Sequence, residues 1–345
     1  MNMVGSRSIT ACSDPPRNPG SPEPATRGPV SDTDLPMLIL DEDADAIAAA
    51  LMEAGLPADR LRPVTGAPGP EHRDTRIALA APDRMVAHAG ALPALEWVQS
   101  TWAGIRPLLP LMAERPELVV TGVKDVFGPL MAEYLFGWLA ALERGLLDYP
   151  ALQGRRRWQP LPQRRMAGRR MTLVGLGSIG AHLARVAHHA FELRVTGVSR
   201  SGRSVEGVEQ AFPVEQLAVA AAGADYLVSV VPDTEATRGL IDAPVLAALA
   251  EDAILVNVGR GSVLDDAALI EALPGGRPRA AVLDVFREEP LPEDDPLWTT
   301  PGVHITPHVA ATTLAGDIAR LFLANLERRE AGLEPAGRVD PARGY

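Results

Sequence analysis

The chain has 345 residues, which corresponds to about two domains at roughly 150 residues each, so it can bury substantial hydrophobic cores. Hydrophobic residues make up 46% and charged residues 22% of the sequence, which excludes a largely disordered or fibrous chain. The formal net charge is −11, from 44 acidic and 33 basic residues. The field of such a molecule disfavours nucleic acid as a partner.

Cysteine and lysine are almost absent from the sequence, which has Cys12 and Lys124 as its only examples. One cysteine excludes an intramolecular disulfide framework and a cysteine-rich zinc site. No histidine and carboxylate cluster has metal-ligand spacing, so we predict no metal. No secretory h-region and no apolar run of about 18 residues is present, so we expect a cytoplasmic protein that does not bind membranes.

The N-terminal third begins with a tail and continues as a strand and helix alternation. Residues 1–34 are rich in Pro, Ser, Gly and Arg, and we expect them to be disordered, or to reflect a start codon assigned too far upstream. Four apolar runs follow, and they predict a small parallel α/β domain. These runs are residues 37–40, 77–80, 97–99 and 118–120. A long packing helix is predicted over residues 128–149.

A second and clearer alternation follows an arginine-rich connection. Six strands are predicted at residues 171–174, 193–198, 226–231, 254–258, 281–285 and 303–305, with helices between most of them. Six strands at this spacing predict a doubly wound parallel sheet. The final helix is predicted over residues 315–329 and is long enough to reach back to the first domain.

A glycine-rich turn, GLGSIG, follows the first strand of this second alternation. Gly175 permits the tight turn, Gly177 lets the backbone approach a pyrophosphate, and Gly180 lets the helix pack close to the strand. Ser178 and Ile179 open the helix that follows. A strand, a glycine turn and an amphipathic helix in this order predict a dinucleotide site.

The end of the next strand distinguishes between the two dinucleotides. An NAD site usually has Asp or Glu there, about 20 residues past the glycines. This chain instead has Ser199, Arg200, Ser201 and Arg203, which match a 2′-phosphate better than a 2′-hydroxyl. We therefore predict NADP(H), with NAD(H) as the alternative. The alternative is that these arginines belong to an ordinary solvent-exposed loop and bind no phosphate.

Three polar residues lie where strands of the second sheet end, the rim at which doubly wound sheets bind ligands. Arg260 follows ILVNVG, Glu289 lies in VLDVFREEPLP, and His308 lies in VHITPHVAATT. Each has an ordinary explanation as a turn or surface residue. Together they offer a cation for an anionic substrate, a proton donor suited to neutral pH, and a carboxylate that can orient the imidazole.

Several motifs in register resemble the D-isomer-specific 2-hydroxyacid dehydrogenases. They are GLGSIG, SVVPDTEATRGLID, NVGRGSVLDDAALIEAL, AVLDVFREEPLPEDDPLW and HITPHVAATT. WVQSTWAGIRPLL, GVKDVFGPLMAEYLFG and the SRSGR loop further resemble the glyoxylate/hydroxypyruvate reductase branch, which favours NADPH. The resemblance implies a Rossmann cofactor domain, residues 123–307, inserted in a smaller flavodoxin-like substrate domain, residues 35–122 and 308–335.

The resemblance also implies roles for particular residues. Arg260 would bind the 2-oxo acid, His308 would be the acid/base, and Glu289 would hold the histidine. Backbone amides near Trp102, Ala103 and Gly104 would hold the substrate carboxylate. The implied protein is a homodimer joined through the cofactor domain.

Two further positions match contacts with the dinucleotide, and one departs from the family. Thr234, in the VPDTEAT loop, and Asp284, in the LDVF strand, match positions that meet the dinucleotide, the latter at the nicotinamide amide. Arg106 stands after WAGI, where relatives commonly have aspartate, so the resemblance does not predict the local loop or the charge of the substrate pocket at this position.

The leading hypothesis is an NADPH-dependent reductase of small 2-oxo acids such as glyoxylate or hydroxypyruvate. A dinucleotide-sensing protein without turnover is the alternative from another class, because fold alone does not determine function. A pure sensor needs no acid/base pair, however, and this chain has one. A third hypothesis is an enzyme that oxidises formate or phosphite. It is disfavoured because the formate dehydrogenases that resemble this pattern have glutamine at the position of Glu289.

Overall fold

The computed structural model describes residues 35–102, 104–123 and 126–341. The tail predicted for residues 1–34 lies outside this part of the chain. The strands form two sheets, and within each sheet all neighbouring strands are parallel. The predicted α/β architecture with two doubly wound sheets is therefore confirmed.

The first sheet has five strands, one more than the four predicted. They are β1 (Met37–Leu40), β2 (Leu61–Val64), β3 (Ile77–Ala80), β4 (Trp97–Ser100) and β5 (Val119–Thr121), in the order β2-β1-β3-β4-β5. This is the flavodoxin-like order. The helices between them are α1 (Ala44–Glu53), α2 (Pro82–His88) and α3 (Leu109–Glu114). The missed strand, β2, is an edge strand that contains Arg62 and Pro63, so it has no continuous apolar run.

The long helix predicted over residues 128–149 is two helices in the structure. Helix α4 (Phe127–Glu143) ends before Gly145, which has a φ of +62°. The Leu146 amide then donates to the Ala141 carbonyl at 2.9 Å, which closes the helix with a Schellman-type cap. Helix α5 (Tyr149–Gly154) follows. The apolar periodicity alone gave no sign of this break.

The second sheet has seven strands, again one more than predicted. They are β6 (Arg170–Val174), β7 (Arg194–Ser199), β8 (Gln210–Pro213), β9 (Tyr226–Ser229), β10 (Ile254–Asn257), β11 (Ala280–Leu283) and β12 (Val303–Ile305). Their order, β12-β11-β10-β9-β6-β7-β8, is the Rossmann order extended by one strand. The missed strand is β8, a short edge strand with a polar start and a terminal proline. Helices α6 (Ser178–Phe191), α7 (Leu217–Ala221), α8 (Ala243–Ala248) and α9 (Asp266–Ala272) connect the strands.

The last helix, α10 (Ala315–Glu330), follows the second sheet in sequence but packs on the first. Phe322 is fully buried and stacks on Trp97, with ring centroids 5.1 Å apart. Burying a side chain of this kind contributes about 1.5–3 kcal/mol. The chain therefore crosses from the first sheet to the second and returns, as the length and position of this helix predict.

Candidate active site

The carboxyl ends of the central strands of the second sheet lie side by side. Val174, at the end of β6, pairs with Val198 and Ser229, and Asn257, at the end of β10, pairs with Ser229 and Leu283. The segments that follow these strands therefore leave the sheet along one edge. This edge is where open α/β sheets bind their ligands.

The glycine turn after β6 has the backbone that a phosphate site needs. Gly175 has a φ of +105°, which favours glycine. A Cβ on Gly180 would lie 1.9 Å from the Gly175 carbonyl oxygen, whereas a Cβ on Gly177 would have no atom of the described residues within 4 Å. Gly177 and Ser178 are exposed at the start of α6, and Ile179 packs inward against the core. The helix N-terminus thus faces open space with its amides unblocked, as anion binding requires.

The loop after β7 carries the four residues predicted to select the dinucleotide. Arg200, Ser201 and Arg203 are exposed, and the Ser199 hydroxyl donates to the Arg203 carbonyl at 3.3 Å. Within the described part of the chain, neither guanidinium has a hydrogen-bond or ion-pair partner. Both are therefore free to bind an anion.

The histidine and the glutamate form a direct contact. His308 Nδ1 lies 2.8 Å from Glu289 Oε2, and Glu289 Oε1 accepts a hydrogen bond from the Phe286 amide at 2.9 Å. The His308 side chain is 50% exposed and that of Glu289 is 36% exposed, so the pair lies near the surface and not in the core. With Nδ1 held by the carboxylate, Nε2 is the ring nitrogen that a substrate can reach.

The backbone of His308 is unusual. Its φ is +54°, a left-handed conformation that costs an L residue about 1–2 kcal/mol. The surrounding hydrogen bonds must therefore hold it. Non-glycine residues in this region concentrate at functional sites.

Arg260 follows β10 in a turn held by its own neighbours. Asn257 Nδ2 donates to the Arg260 carbonyl at 3.0 Å, and Asn257 Oδ1 accepts from the Gly259 amide at 3.2 Å. Gly261 brings this turn against the loop that carries Glu289, since a Cβ on Gly261 would lie 1.9 Å from the carbonyl carbon of Phe286. Sequence reasoning missed this glycine.

The guanidinium of Arg260 is close both to the Glu289 carboxylate and to Gly104 in the loop after β4. Burial lowers the pKa of Arg260, and the nearby Glu289 carboxylate opposes that shift. One of its terminal nitrogens lies so close to Gly104 that a Cβ there would be 2.8 Å away. The structure therefore brings Arg260, Glu289 and His308 together, and it brings the loop after β4 to them.

The loop after β4 supplies the other predicted substrate residues. Trp102 is 42% exposed, and the Ser100 hydroxyl fixes its backbone, accepting from its amide at 3.0 Å and donating to its carbonyl at 2.8 Å. Ala103 lies outside the described residues. Trp97, on β4, is instead buried, and its indole donates to the Thr121 hydroxyl at 2.9 Å.

Thr234 lies in the loop after β9, as predicted, whereas Asp284 lies just beyond the end of β11 and not within the strand; both are hydrogen-bonded within the chain. Thr234 caps the short 3₁₀ turn at residues 235–237, and its amide donates to the Thr237 hydroxyl at 2.9 Å. The Asp284 side chain is buried, and its carboxylate accepts from the amides of Val309 and Ala310, each at 2.9 Å. Asp284 thus lies beneath the turn of His308.

Arg106, in the turn after β4, makes a contact that its local sequence does not predict. Arg106 forms an ion pair with Asp233, whose carboxylate also accepts from the Ser262 hydroxyl at 2.9 Å and pairs with Arg238 at 3.3 Å. Asp233 precedes Thr234, and Ser262 is two residues beyond Arg260. The carboxylate of Asp233 thus joins three loops around the candidate site.

No group of three or more histidine, cysteine, aspartate or glutamate residues in the described ranges could hold a metal ion. None of the helices in that same part of the chain is both long and apolar enough to cross a membrane.

Comparisons with known proteins show which family this chain is similar to. A family model described as D-isomer specific 2-hydroxyacid dehydrogenase, NAD binding domain, matches residues 136–310. Glyoxylate/hydroxypyruvate reductase A of Serratia proteamaculans is 34% identical over 270 residues, which are 76% of this chain and 85% of that protein.

Two solved structures are similar over most of the described chain. A D-isomer specific 2-hydroxyacid dehydrogenase family protein from Aeromonas salmonicida has a TM-score of 0.81 at 38% identity, covering 89% of this chain and 99% of its own. An NADPH-dependent glyoxylate/hydroxypyruvate reductase from Sinorhizobium meliloti, in complex with NADP and sulfate, has a TM-score of 0.75 at 28% identity, covering 90% and 100%.

The chain therefore belongs to the D-isomer specific 2-hydroxyacid dehydrogenase family, a family of nicotinamide-dependent oxidoreductases. The family resemblance stated from the motifs is confirmed, and so is the expectation of an enzyme of this class. The roles assigned to individual residues stay predictions, and they are taken up below.

Proposed function

We propose that this enzyme catalyses the NADPH-dependent reduction of small 2-oxo acids, such as glyoxylate and hydroxypyruvate, to the corresponding 2-hydroxy acids. The observation that carries the proposal is the contact of 2.8 Å between His308 Nδ1 and Glu289 Oε2, beside a guanidinium that faces Gly104 across the cleft. The names of the Serratia and Sinorhizobium relatives support this substrate class.

Each member of the site has a task in this reaction. Reduction adds a hydride to the carbonyl carbon and a proton to the carbonyl oxygen of the 2-oxo acid. When bound, NADPH supplies the hydride and leaves as NADP⁺. Arg260 binds the substrate and stabilises charge on the carbonyl oxygen, while Glu289 orients the imidazole so that His308 Nε2 donates the proton. Backbone amides of residues 102–104 bind the substrate carboxylate.

The dinucleotide lies along the carboxyl edge of the second sheet in this proposal. The open space at Gly177 and the N-terminus of α6 suit a pyrophosphate. The exposed guanidiniums of Arg200 and Arg203, with the hydroxyls of Ser199 and Ser201, suit a 2′-phosphate. Thr234 and Asp284 contact the dinucleotide further along the edge. NADP(H) is thus the preferred dinucleotide, and NAD(H) is the weaker alternative.

A steady-state panel of 2-oxo acids with NADPH and with NADH tests the function. We expect glyoxylate and hydroxypyruvate to accelerate NADPH oxidation, and His308→Ala to lower kcat by about 10²–10⁴-fold while the Kd for NADPH stays unchanged. A rate of NADPH oxidation that no 2-oxo acid increases would overturn the proposal. NADPH binding without turnover would then indicate a sensor.

The dinucleotide preference has a separate test in Arg200→Asp. This change removes a charge-assisted contact worth about 1.5–3 kcal/mol, so we expect KM for NADPH to rise by about 10- to 100-fold and KM for NADH to rise little. Arg194→Asp is the matched control, because Arg194 is an exposed arginine at the opposite end of the same strand. Equal changes with both dinucleotides would contradict the assignment.

Three further features complete the proposal. Residues 35–122 with 308–335 act as the substrate-binding unit, and residues 123–307 act as the dinucleotide-binding unit.

The enzyme is a homodimer joined through the second unit, where Leu146, Leu147 and Trp158 are exposed apolar side chains. Light scattering measures the mass of the assembly and tests this proposal. Its single cysteine suits a reducing cytoplasm.

A further inference from the structure

The turn that carries His308 is anchored at one buried residue. The backbone carbonyl of Asp284 accepts from the His308 amide at 2.9 Å. Its carboxylate accepts from the next two amides, those of Val309 and Ala310, at the same distance. Three consecutive amides of the turn thus bind to Asp284, which is 1% exposed. Such an anchor can hold the left-handed conformation of His308.

The Asp284 carboxylate is itself held by a hydrogen-bonded chain from a distant helix. The Thr306 hydroxyl donates to Asp284 Oδ1 at 2.6 Å, and the Tyr134 hydroxyl lies 2.6 Å from the same Thr306 oxygen. A threonine hydroxyl has one hydrogen. Because Thr306 gives that hydrogen to the carboxylate, its oxygen accepts from Tyr134. Donation therefore runs from Tyr134 to Thr306 to Asp284.

The phenol is suited to a permanent donor role. Burial raises the pKa of Tyr134 to about 12, so the hydroxyl keeps its proton throughout the neutral range. Tyr134 lies on α4 and Thr306 follows β12. A helix packed on the sheet is thereby connected to the end of an edge strand and, through it, to the His308 turn.

We propose that Tyr134 and Thr306 are positioning residues that act through Asp284 to hold the His308 turn, and hence the imidazole, in the geometry that proton donation requires. The inference rests on the proposed function for the role of His308. Neither residue touches the reacting atoms. Loss of the hydrogen bonds from Tyr134 to Thr306 and from Thr306 to Asp284 would free the Asp284 carboxylate to rotate. The carboxylate would then release the amides of Val309 and Ala310, and His308 would move away from Glu289.

Substitutions at Thr306 separate the hydroxyl from the side-chain volume. Thr306→Val removes the hydroxyl, and we expect kcat for glyoxylate reduction to fall by about 10- to 100-fold. Because Asp284 is also a proposed dinucleotide contact, the Kd for NADPH should rise as well, by a smaller factor. Thr306→Ser keeps the hydroxyl and should restore most of the loss. Tyr134→Phe removes the first donor only and should lower kcat by a smaller factor.

A buried threonine on β6 provides the control for structural damage. The Thr172 hydroxyl donates to the Ala220 carbonyl at 2.8 Å, away from the candidate site. We expect Thr172→Val to lower Tm about as much as Thr306→Val but to leave kcat unchanged. A fall in kcat that follows the fall in Tm equally in both variants would overturn the inference.

A measurement without turnover separates this inference from the proposed function. The chain has seven histidines, and comparison with His308→Ala assigns the His308 imidazole signal in an NMR spectrum of the full protein. We expect Thr306→Val and Tyr134→Phe to shift or broaden that signal and Thr306→Ser to leave it in place. If the wild type reduces no 2-oxo acid, the proposed function fails while this result still decides the positioning. An unmoved signal in Thr306→Val and Tyr134→Phe would overturn the positioning alone.

Discussion

At the scale of single residues, Glu289 explains why a carboxylate and not an amide stands beside the histidine. Its two oxygens accept from two different partners, the Phe286 amide and His308 Nδ1. A glutamine side chain has one oxygen and one NH₂ group, so it could accept from only one of these two partners. The same backbone would then have to present its histidine in another tautomer or orientation.

Gly104, in the loop after β4, lies against Arg260, and this contact supports a prediction. A Cβ there would lie 2.8 Å from a terminal nitrogen of Arg260, so in Gly104→Ala the flexible guanidinium must move. We expect Tm to change little and KM for the 2-oxo acid to rise by about 10-fold, the loss of a good part of one charge-assisted hydrogen bond. Steady-state kinetics with thermal unfolding measure both quantities.

The matched control for Gly104→Ala is Gly90→Ala. A Cβ on Gly90 would have no atom within 4 Å, and this residue lies in the same half of the chain. A KM increase of the same size in both variants would show that the effect does not come from Arg260.

At the scale of elements, α9 carries a carboxyl group whose ionisation opposes folding. Burial raises the pKa of Asp266 from 3.8 to about 6, and Arg287, at 3.1 Å, only partly opposes that shift. Between these two values the folded state holds a proton that the unfolded state has lost. The free energy of unfolding therefore receives a contribution that falls as pH rises from about 4 to 6 and then stays low.

Asp266→Asn removes this contribution. The full shift corresponds to about 3 kcal/mol at 1.36 kcal/mol per pKa unit, and we discount it to about 1 kcal/mol because the side chain is 30% exposed. We expect the variant to gain this much stability relative to wild type between pH 4 and pH 7, measured by urea unfolding. Asp45→Asn, in the exposed first turn of α1, is the control. A constant difference between Asp266→Asn and wild type across that pH range would contradict the argument.

The strands and helices also show which parts of the fold can be predicted from the sequence. Central strands such as β6 and β10 are mostly apolar and, apart from Arg170, buried, so their ends, and the residues that follow them, could be predicted. The edge strands β2 and β8 lack such runs because one side of each meets solvent. The break after α4 depends on a single glycine, whose left-handed conformation an apolar periodicity does not report.

Some residues of the candidate site could likewise be predicted from the sequence, and others could not. Arg260, Glu289 and His308 were predicted because each follows a strand and has a side chain suited to a recognised chemical task. Thr306 and Tyr134 were missed because their contact joins residues 172 positions apart, and nothing in either local sequence marks it. Contacts of this kind arise only when the sheet and its helices are assembled.

At the scale of the whole molecule, a helix and an ion pair are among the contacts that connect the two halves of the chain. Helix α10 returns to the first sheet and buries Phe322 there, and Arg106 reaches from the first sheet to Asp233 on the second. The helix is a permanent connection, because separating it would expose apolar surface. The ion pair has a side-chain exposure of 58% on the arginine, so it can break and form at little cost.

The last prediction concerns this ion pair, which closes the cleft beside the site. Exposed pairs contribute about 0.2–1 kcal/mol, so Arg106→Ala should raise KM for the 2-oxo acid by about two- to fivefold at low salt and leave the Kd for NADPH unchanged. Arg238→Ala is the matched control, since Arg238 pairs with the same carboxylate but follows β9 on the second sheet. Salt screens contacts of this kind, so the difference between wild type and Arg106→Ala should shrink at 1 M ionic strength. A difference that persists at that salt, or that Arg238→Ala reproduces, would mean that Arg106 acts in some way other than by joining the two sheets.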